Sequence, residues 1–170
     1  MIQKILCLLN PRTYSLGVSI FCMASLLVAY MAEHKYGIKP CALCVYMQYL
    51  FCGLGFVSLV NFLWTRSPIT GLQGIIIAGM LALSFYHVGV ENHWWRGPAS
   101  CTGNVLDSAK MDQLSNQEKL TYMRQNIQRA PIVRCDQVNW RIFGISATIW
   151  NTLALLGLFL GMGIICRRKP

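Results

Sequence analysis

Residues 39–44 read Lys-Pro-Cys-Ala-Leu-Cys, and residues 45–63 continue without a charge as VYMQYLFCGLGFVSLVNFL. A helix needs roughly 20 residues to cross about 30 Å of hydrocarbon, and the apolar run from Leu43 to Leu63 meets that length. Three further runs approach it: about Tyr14 to Ala32, Leu72 to Val90 and Ile142 to Cys166. None carries Lys, Arg, Asp or Glu in its interior. Lipid offers the backbone no hydrogen-bond partners, so each run is read as a helix. The expected fold is an all-α membrane protein, a four-transmembrane-helix bundle forming one domain over 1–170. It has a short first outer loop, about 33–42, and a long second one, about 91–141.

Composition agrees with a lipid solvent. Hydrophobic residues make up 55% of the 170-residue chain and charged residues 12%. The first run follows Lys4 and Arg12, as a secretory signal would. Its apolar core is longer than a signal's, and Tyr30-Met31-Ala32 lacks the small residue expected three places before a cut after Ala32, so a retained helix is the reading.

Charge sets the orientation. Four spans put both termini on one side. Those termini and the 64–71 turn carry Lys4, Arg12, Arg66, Arg167, Arg168 and Lys169 with no acid. The opposite side has nine basic residues over more than twice the length, together with all six acids. By density of basic residues, the termini are expected to be cytoplasmic. The net charge of +9 then faces anionic lipid and requires no nucleic acid. Trp64, Trp94, Trp95 and Trp140 fall at the ends of spans, where interfacial anchoring accounts for them.

Topology sorts the eight cysteines. Cys22 and Cys52 lie within spans, and Cys7 and Cys166 near the reducing cytoplasmic side; all four read as small apolar residues. Cys41, Cys44, Cys101 and Cys135 share the side that permits disulfides. Two structural staples are one reading. Closing so short a loop as Cys41–Cys44 removes little unfolded-state entropy, which favours a redox role for that pair. Cys101 and Cys135 close a longer loop and suit either role. A four-thiolate zinc site would want its ligands in two close pairs, and the second pair is far apart. Haem attachment would need His after Cys44, where Val45 stands. No metal is expected.

Pro40 suits a helix start, which puts Cys41 and Cys44 in the first turn of the second span. Unpaired N–H groups there, with Lys39 nearby, favour a thiolate. Cys44 lies deeper than Cys41, so a lipid-soluble two-electron acceptor, in practice a quinone, is its natural partner. In the long loop, Gly97 and Pro98 break the helix before Cys101. Ser115-Asn116-Gln117-Glu118 has capping-box spacing. It opens a segment with Leu120, Met123 and Ile127 on one face, expected to lie on the membrane surface or to pack as an ordinary loop helix. Gly157 and Gly161, and Gly71, Gly74 and Gly79, suggest close helix approach.

Taken together, the chain resembles the disulfide bond formation protein B (DsbB) family, bacterial inner-membrane quinone reductases that reoxidise a periplasmic thiol oxidase. The resemblance is carried by residues 39–46, by His87-Val88-Gly89-Val90-Glu91 with Trp94-Trp95, and by Gly97-Pro98-Ala99-Ser100-Cys101. Pro131-Ile132-Val133-Arg134-Cys135-Asp136, Trp140 and Phe143-Gly144-Ile145-Ser146 complete it. It implies a multi-pass inner-membrane protein whose partners are a DsbA-like thioredoxin-fold oxidase, the quinone pool (ubiquinone or menaquinone) and the bilayer. It further implies that Cys101 takes the attack of the partner's cysteine, that Cys135 is released toward Cys41, and that Cys44 meets the quinone as a thiolate, in a charge-transfer or covalent adduct. The soluble oxidase couple lies near about −120 mV, and about 30 mV of a two-electron couple is worth about 1.4 kcal/mol, so the quinone must supply the drive.

One position departs from the family. An arginine is usual four residues after the second cysteine of Cys-x-x-Cys, and Gln48 stands here. Glutamine can hydrogen-bond a quinone carbonyl but brings no charge, and Lys39 is a candidate substitute. His87 and His93 both lie near the depth of the family's quinone-side histidine, with a packing or interfacial role as the alternative for each. Two other functions fit the layout: a quinone-linked reductase of the vitamin K epoxide reductase type, and a scaffold with purely structural disulfides.

Overall fold

The computed structural model describes residues 10–98, 101, 115–129 and 133–167. Cys7, Lys4, Arg168 and Lys169, together with Ala99-Ser100, Pro131-Ile132 and the side chain of Ile127, lie outside the described residues. Among the described residues, four helices are long and apolar enough to cross a membrane: α1 (Pro11–Tyr36), α2 (Ala42–Leu63), α3 (Ser67–Glu91) and α5 (Ala147–Arg167). Between the last two spans lie helix α4 (Asn116–Arg129) and a hairpin of β1 (Arg141–Ile142) and β2 (Ile145–Ser146). The chain is thus a four-helix membrane bundle.

Local chemistry sets the boundaries. At the start of α1, Asn10 precedes Pro11, whose missing N–H costs nothing in the first turn. Thr13 Oγ1 accepts from the Asn10 N–H at 3.1 Å. The helix ends at Gly37 (φ 65°), a left-handed cap that glycine adopts without a Cβ penalty. Helix α3 starts at Ser67, ahead of the apolar run at Leu72, because Pro68 seeds its first turn. The fourth span departs from expectation. It begins at Ala147, because Ile142 and its neighbours form the hairpin instead. Phe143 (φ 52°) and Gly144 (φ 80°) make a two-residue turn with both φ positive, the geometry that matches strand twist.

Around the ring, α1 packs along α2, α2 on α3 and α3 on α5, while α1 and α5 touch least. Val18, Cys22, Leu54, Ile77, Met80 and Leu155 are among the buried residues at the centre. The outside is apolar too: Ile20, Met23 and Leu27 on α1, Ile75 on α3 and Leu160 on α5 are exposed, as lipid-facing side chains should be. Close approach rests on Gly161, one of those expected, and on Gly55, which was not singled out. A Cβ on Gly55 would lie 3.2 Å from Cys22 Cβ, and one on Gly161 would lie 3.1 Å from the Tyr14 ring. Gly74 meets Met162 at an ordinary 3.5 Å, whereas Gly71, Gly79 and Gly157 have nothing within 4 Å.

Far from the cysteine motif, a polar knot ties three helices. Asn61 Nδ2 donates to Ser15 Oγ at 2.9 Å and to Gln73 Oε1 at 2.8 Å, and Asn61 Oδ1 accepts from Thr70 at 3.2 Å. All four residues are buried. Interhelical hydrogen bonds in membranes are worth about 0.6–2 kcal/mol each. Asn61→Leu should therefore lower bundle stability by about 1–2 kcal/mol, partners included. Denaturant unfolding in detergent micelles measures this, and an unchanged midpoint would show the knot to be idle.

Candidate functional site

Cys41 is the N-cap of α2. Its sulfur accepts from the Cys44 N–H at 3.4 Å, one of the orphan donors of the first helical turn, and lies 2.9 Å from Cys44 Sγ. His87 Nε2 on α3 approaches Cys41 Sγ at 3.6 Å. The Cys41 thiol is pulled below its ordinary value, first by the Cys44 side-chain hydrogen bond and next by His87, against the opposing effect of burial. Cys41 is buried and Cys44 half-buried.

The second pair is joined. Cys101 and Cys135 form a disulfide with Cα atoms 5.0 Å apart, and the Cys135 N–H donates to the Cys101 carbonyl at 3.0 Å. Both cysteines are buried and pack in one apolar cluster with Cys41, Leu43 and Val90, against which Cys44 also lies. All four cysteines singled out from the sequence are thereby gathered at one end of the bundle.

How the outer loop is brought there depends on Gly89. After α3 ends, the Trp94 N–H donates back to the Gly89 carbonyl at 2.8 Å, and Trp95 Nε1 donates to the Tyr86 carbonyl at 2.9 Å. The Trp95 ring stacks on Tyr86 and lies against Gly89, where any Cβ would overlap it. Trp95 therefore folds the chain back over α3, a role beyond interfacial anchoring. His93 sits in this reversal with φ 60° and is exposed.

A cavity of about 570 Å³ opens beside the cysteines between α1, α2 and α5. Cys41, Cys44, Gln48, His87 and Lys39 line it, and His93 does not. Phe21, Met47 and Phe51 give it an apolar body. Glu33, Gln137, Asn139, Trp140 and Ser146 line it as well; from the sequence, Trp140 reads as an interfacial anchor and none of the five as a site residue. Glu91 is a further such residue, buried and accepting from Ser146 Oγ at 2.8 Å. Its signal was the spacing His87-x-x-x-Glu91, which puts two ionisable groups on one face of α3 at the end of an apolar run.

The donor set deserves a chemical test. The Cys41 and Cys44 sulfurs and a His87 nitrogen lie within 4.8 Å of one another, a group that by atom type could hold a metal ion. Tetrahedral zinc at about 2.3 Å from each thiolate separates two sulfurs by about 3.8 Å. The 2.9 Å found between these sulfurs is closer to the approach that forms a sulfur–sulfur bond.

A four-helix membrane protein with one disulfide and one thiol pair in a shared buried cluster belongs to the class of membrane thiol–disulfide exchangers. Comparison with known proteins identifies the family. Residues 11–165 match the family model for disulfide bond formation protein DsbB, and the chain belongs to that family. It is 30% identical to a disulfide bond formation protein B of Stutzerimonas stutzeri, the match covering 94% of each chain. It is 27% identical to disulfide bond formation protein B 1 of Pseudomonas aeruginosa, over 93% of this chain and 95% of that one. A disulfide bond formation protein B of Xylella fastidiosa is 25% identical over 94% of each chain. The chain is a multi-pass membrane oxidoreductase that acts on thiols, generates disulfides and exchanges with a disulfide partner. The vitamin K epoxide reductase and scaffold readings give way to this membership.

Beside Cys135, Arg134 donates to Asp136 Oδ1 at 2.9 Å and holds its carboxyl below the usual range, against a small opposing effect of burial. A lowered folded value means that the pair's stabilisation is complete above the unfolded carboxyl value, about 3.9. It is lost as pH falls through the folded value. An NMR titration should put the Asp136 midpoint below about 3.9, and Arg134→Gln should return it toward that value.

Proposed function

We propose that this chain is a protein dithiol:quinone oxidoreductase of the bacterial inner membrane, with both termini cytoplasmic, one membrane domain over 1–170 and outer loops facing the periplasm. The observation that carries this reading is the shared cluster: a disulfide and a thiol pair pack together, and the thiol pair also forms the wall of an apolar cavity.

The substrate is the reduced form of a DsbA-like, thioredoxin-fold oxidase. Its thiolate attacks Cys101 Sγ, breaking the Cys101–Cys135 bond and releasing Cys135 as thiolate. The partner's second thiolate then frees the oxidised partner and leaves Cys101 reduced. When Cys41 and Cys44 are oxidised, Cys135 attacks Cys41 Sγ and displaces Cys44 as thiolate. Attack by Cys101 on Cys135 restores the outer disulfide and releases Cys41. Two electrons have then passed to the inner pair, and exchange of this kind needs only aligned sulfurs and a thiolate.

Quinone, ubiquinone or menaquinone, supplies the two-electron, two-proton acceptor when bound. The cavity suits it: Phe21, Met47 and Phe51 offer apolar surface, while Gln48 and His87 present polar groups beside the sulfurs. Lys39 at the cavity edge adds the cation that Gln48 lacks. Among the described residues, His93 lies away from this wall and is left as a reversal residue.

Purified protein mixed with quinone and reduced thioredoxin-fold oxidase should form quinol, seen by the change in quinone absorbance. Cys44→Ser should bring that rate to background, whereas Cys22→Ser and Cys52→Ser should retain most of it. Absence of quinol with the wild-type chain would overturn the reading. Gln48→Arg should raise turnover by about tenfold, equal to about 1.4 kcal/mol of barrier. Equal or slower turnover would show that charge at this position is not limiting.

A further inference from the structure

Glu91 is the last residue of α3 and is buried at 8% exposure. Burying a carboxylate at the edge of an apolar bundle is costly unless it is bonded. Its Oε2 accepts from Ser146 Oγ at 2.8 Å. Ser146 Oγ in turn accepts from the Thr148 N–H at 3.1 Å. A hydroxyl has one proton and two lone pairs, so one lone pair of Ser146 remains for a third partner. Ser146 is itself a wall residue of the cavity that Cys44, Gln48 and His87 line. On the other side of Glu91, Asn92 and His93 are exposed, which gives the carboxyl a short path to water.

We propose that Glu91, acting through the Ser146 hydroxyl, stores the proton that Cys44 loses and returns it as the electron acceptor is reduced. This rests on the quinone-linked reading above. In the reduced inner pair the Cys44 proton has passed to Ser146 Oγ while the serine's own proton has passed to Glu91, so Cys44 is a thiolate and Glu91 a carboxylic acid. Oxidation then breaks one S–H bond at Cys41 and one O–H bond at Glu91, forms one S–S bond, and passes two electrons and two protons to a quinone, which becomes quinol. The Glu91 proton returns through Ser146 to one quinone oxygen. The other proton leaves Cys41, beside His87, for the second oxygen. Glu91 is a carboxylate beside the oxidised pair and is reprotonated when the pair is next reduced, so protons and electrons balance without another reactant.

The test pairs Glu91→Gln, which keeps the acceptor but cannot be protonated, with Ser146→Ala, which leaves Glu91 and removes the link. Reduced-minus-oxidised infrared spectra of the quinone-free protein should contain a carboxyl band that Glu91→Gln abolishes. With quinone present, kcat for quinol formation should fall about tenfold or more in both variants, with KM for quinone changed less than about twofold. Ser146→Thr should recover most of the rate. A wild-type spectrum without a redox-linked carboxyl band overturns the proposal, as does wild-type kcat in either variant. Should Glu91→Gln fail to fold, the band in wild type and the rate of Ser146→Ala decide alone. A carboxyl band in protein that makes no quinol would sink the quinone reading and not the proton store.

Discussion

Hydrocarbon gives these helices no hydrophobic reason to associate, since lipid tails are as apolar as leucine. Cohesion must come from close packing and from polar groups that have no other partner. The described residues meet this in several places. Away from the cysteines, Asn61 draws Ser15, Thr70 and Gln73 together across α1, α2 and α3. On the other side of the bundle, Ser84 Oγ pairs with Thr152 Oγ1 at 2.8 Å and Asn151 Nδ2 donates to the same serine at 3.0 Å, joining α3 to α5. Between α1 and α5 the contact is sparsest around the ring, though the Tyr14 hydroxyl donates to the Leu158 carbonyl at 2.5 Å, and the cavity opens beside that seam toward the cysteine end.

Much of this could be read from the chain. The four apolar runs and the Cys-x-x-Cys at the head of one of them pointed to the bundle and to the end where the four cysteines gather. The Ser115–Glu118 spacing marked a helix start: Glu118 accepts from the Ser115 N–H at 2.9 Å and from its hydroxyl at 2.7 Å, which holds the Glu118 carboxyl below its usual range. The serine donates here instead of capping the helix N–H, so the motif is half of a reciprocal box. What stayed hidden depended on what lies opposite. Gly161 and Gly157 look equivalent in sequence, yet only Gly161 faces a ring, that of Tyr14. The Phe143-Gly144 turn is masked by its apolar flanks, because hairpin chemistry inside a hydrophobic run resembles the run itself. Trp95 has the position of a membrane anchor, and only its meeting with Gly89 reveals a fold-back. Glu91 sits in plain view, but its burial depends on Ser146, far along the chain.

Within the cluster, the two cysteine pairs differ in how they are held. Cys41 and Cys44 ride on one helical turn, so their spacing is set by α2 itself. Cys101 and Cys135 come from distant parts of the chain and depend on the reversal at Trp95 and the packing of Val90 to meet. The inner pair is positioned by local geometry and the outer pair by tertiary structure. That division suits the proposed relay, in which the outer pair would admit a large partner while the inner pair stays fixed.

The hydrogen bond from the Cys135 N–H to the Cys101 carbonyl has a consequence for the reduced state. When the sulfur–sulfur bond opens, this main-chain link does not open with it. Such a bond is worth about 0.5–1.5 kcal/mol net, which biases the two thiols to stay neighbours. That bias offsets part of the entropic search for one another, whose cost grows with loop length. A short amide contact makes the outer disulfide a hinge pin that can be withdrawn and replaced while the door stays hung.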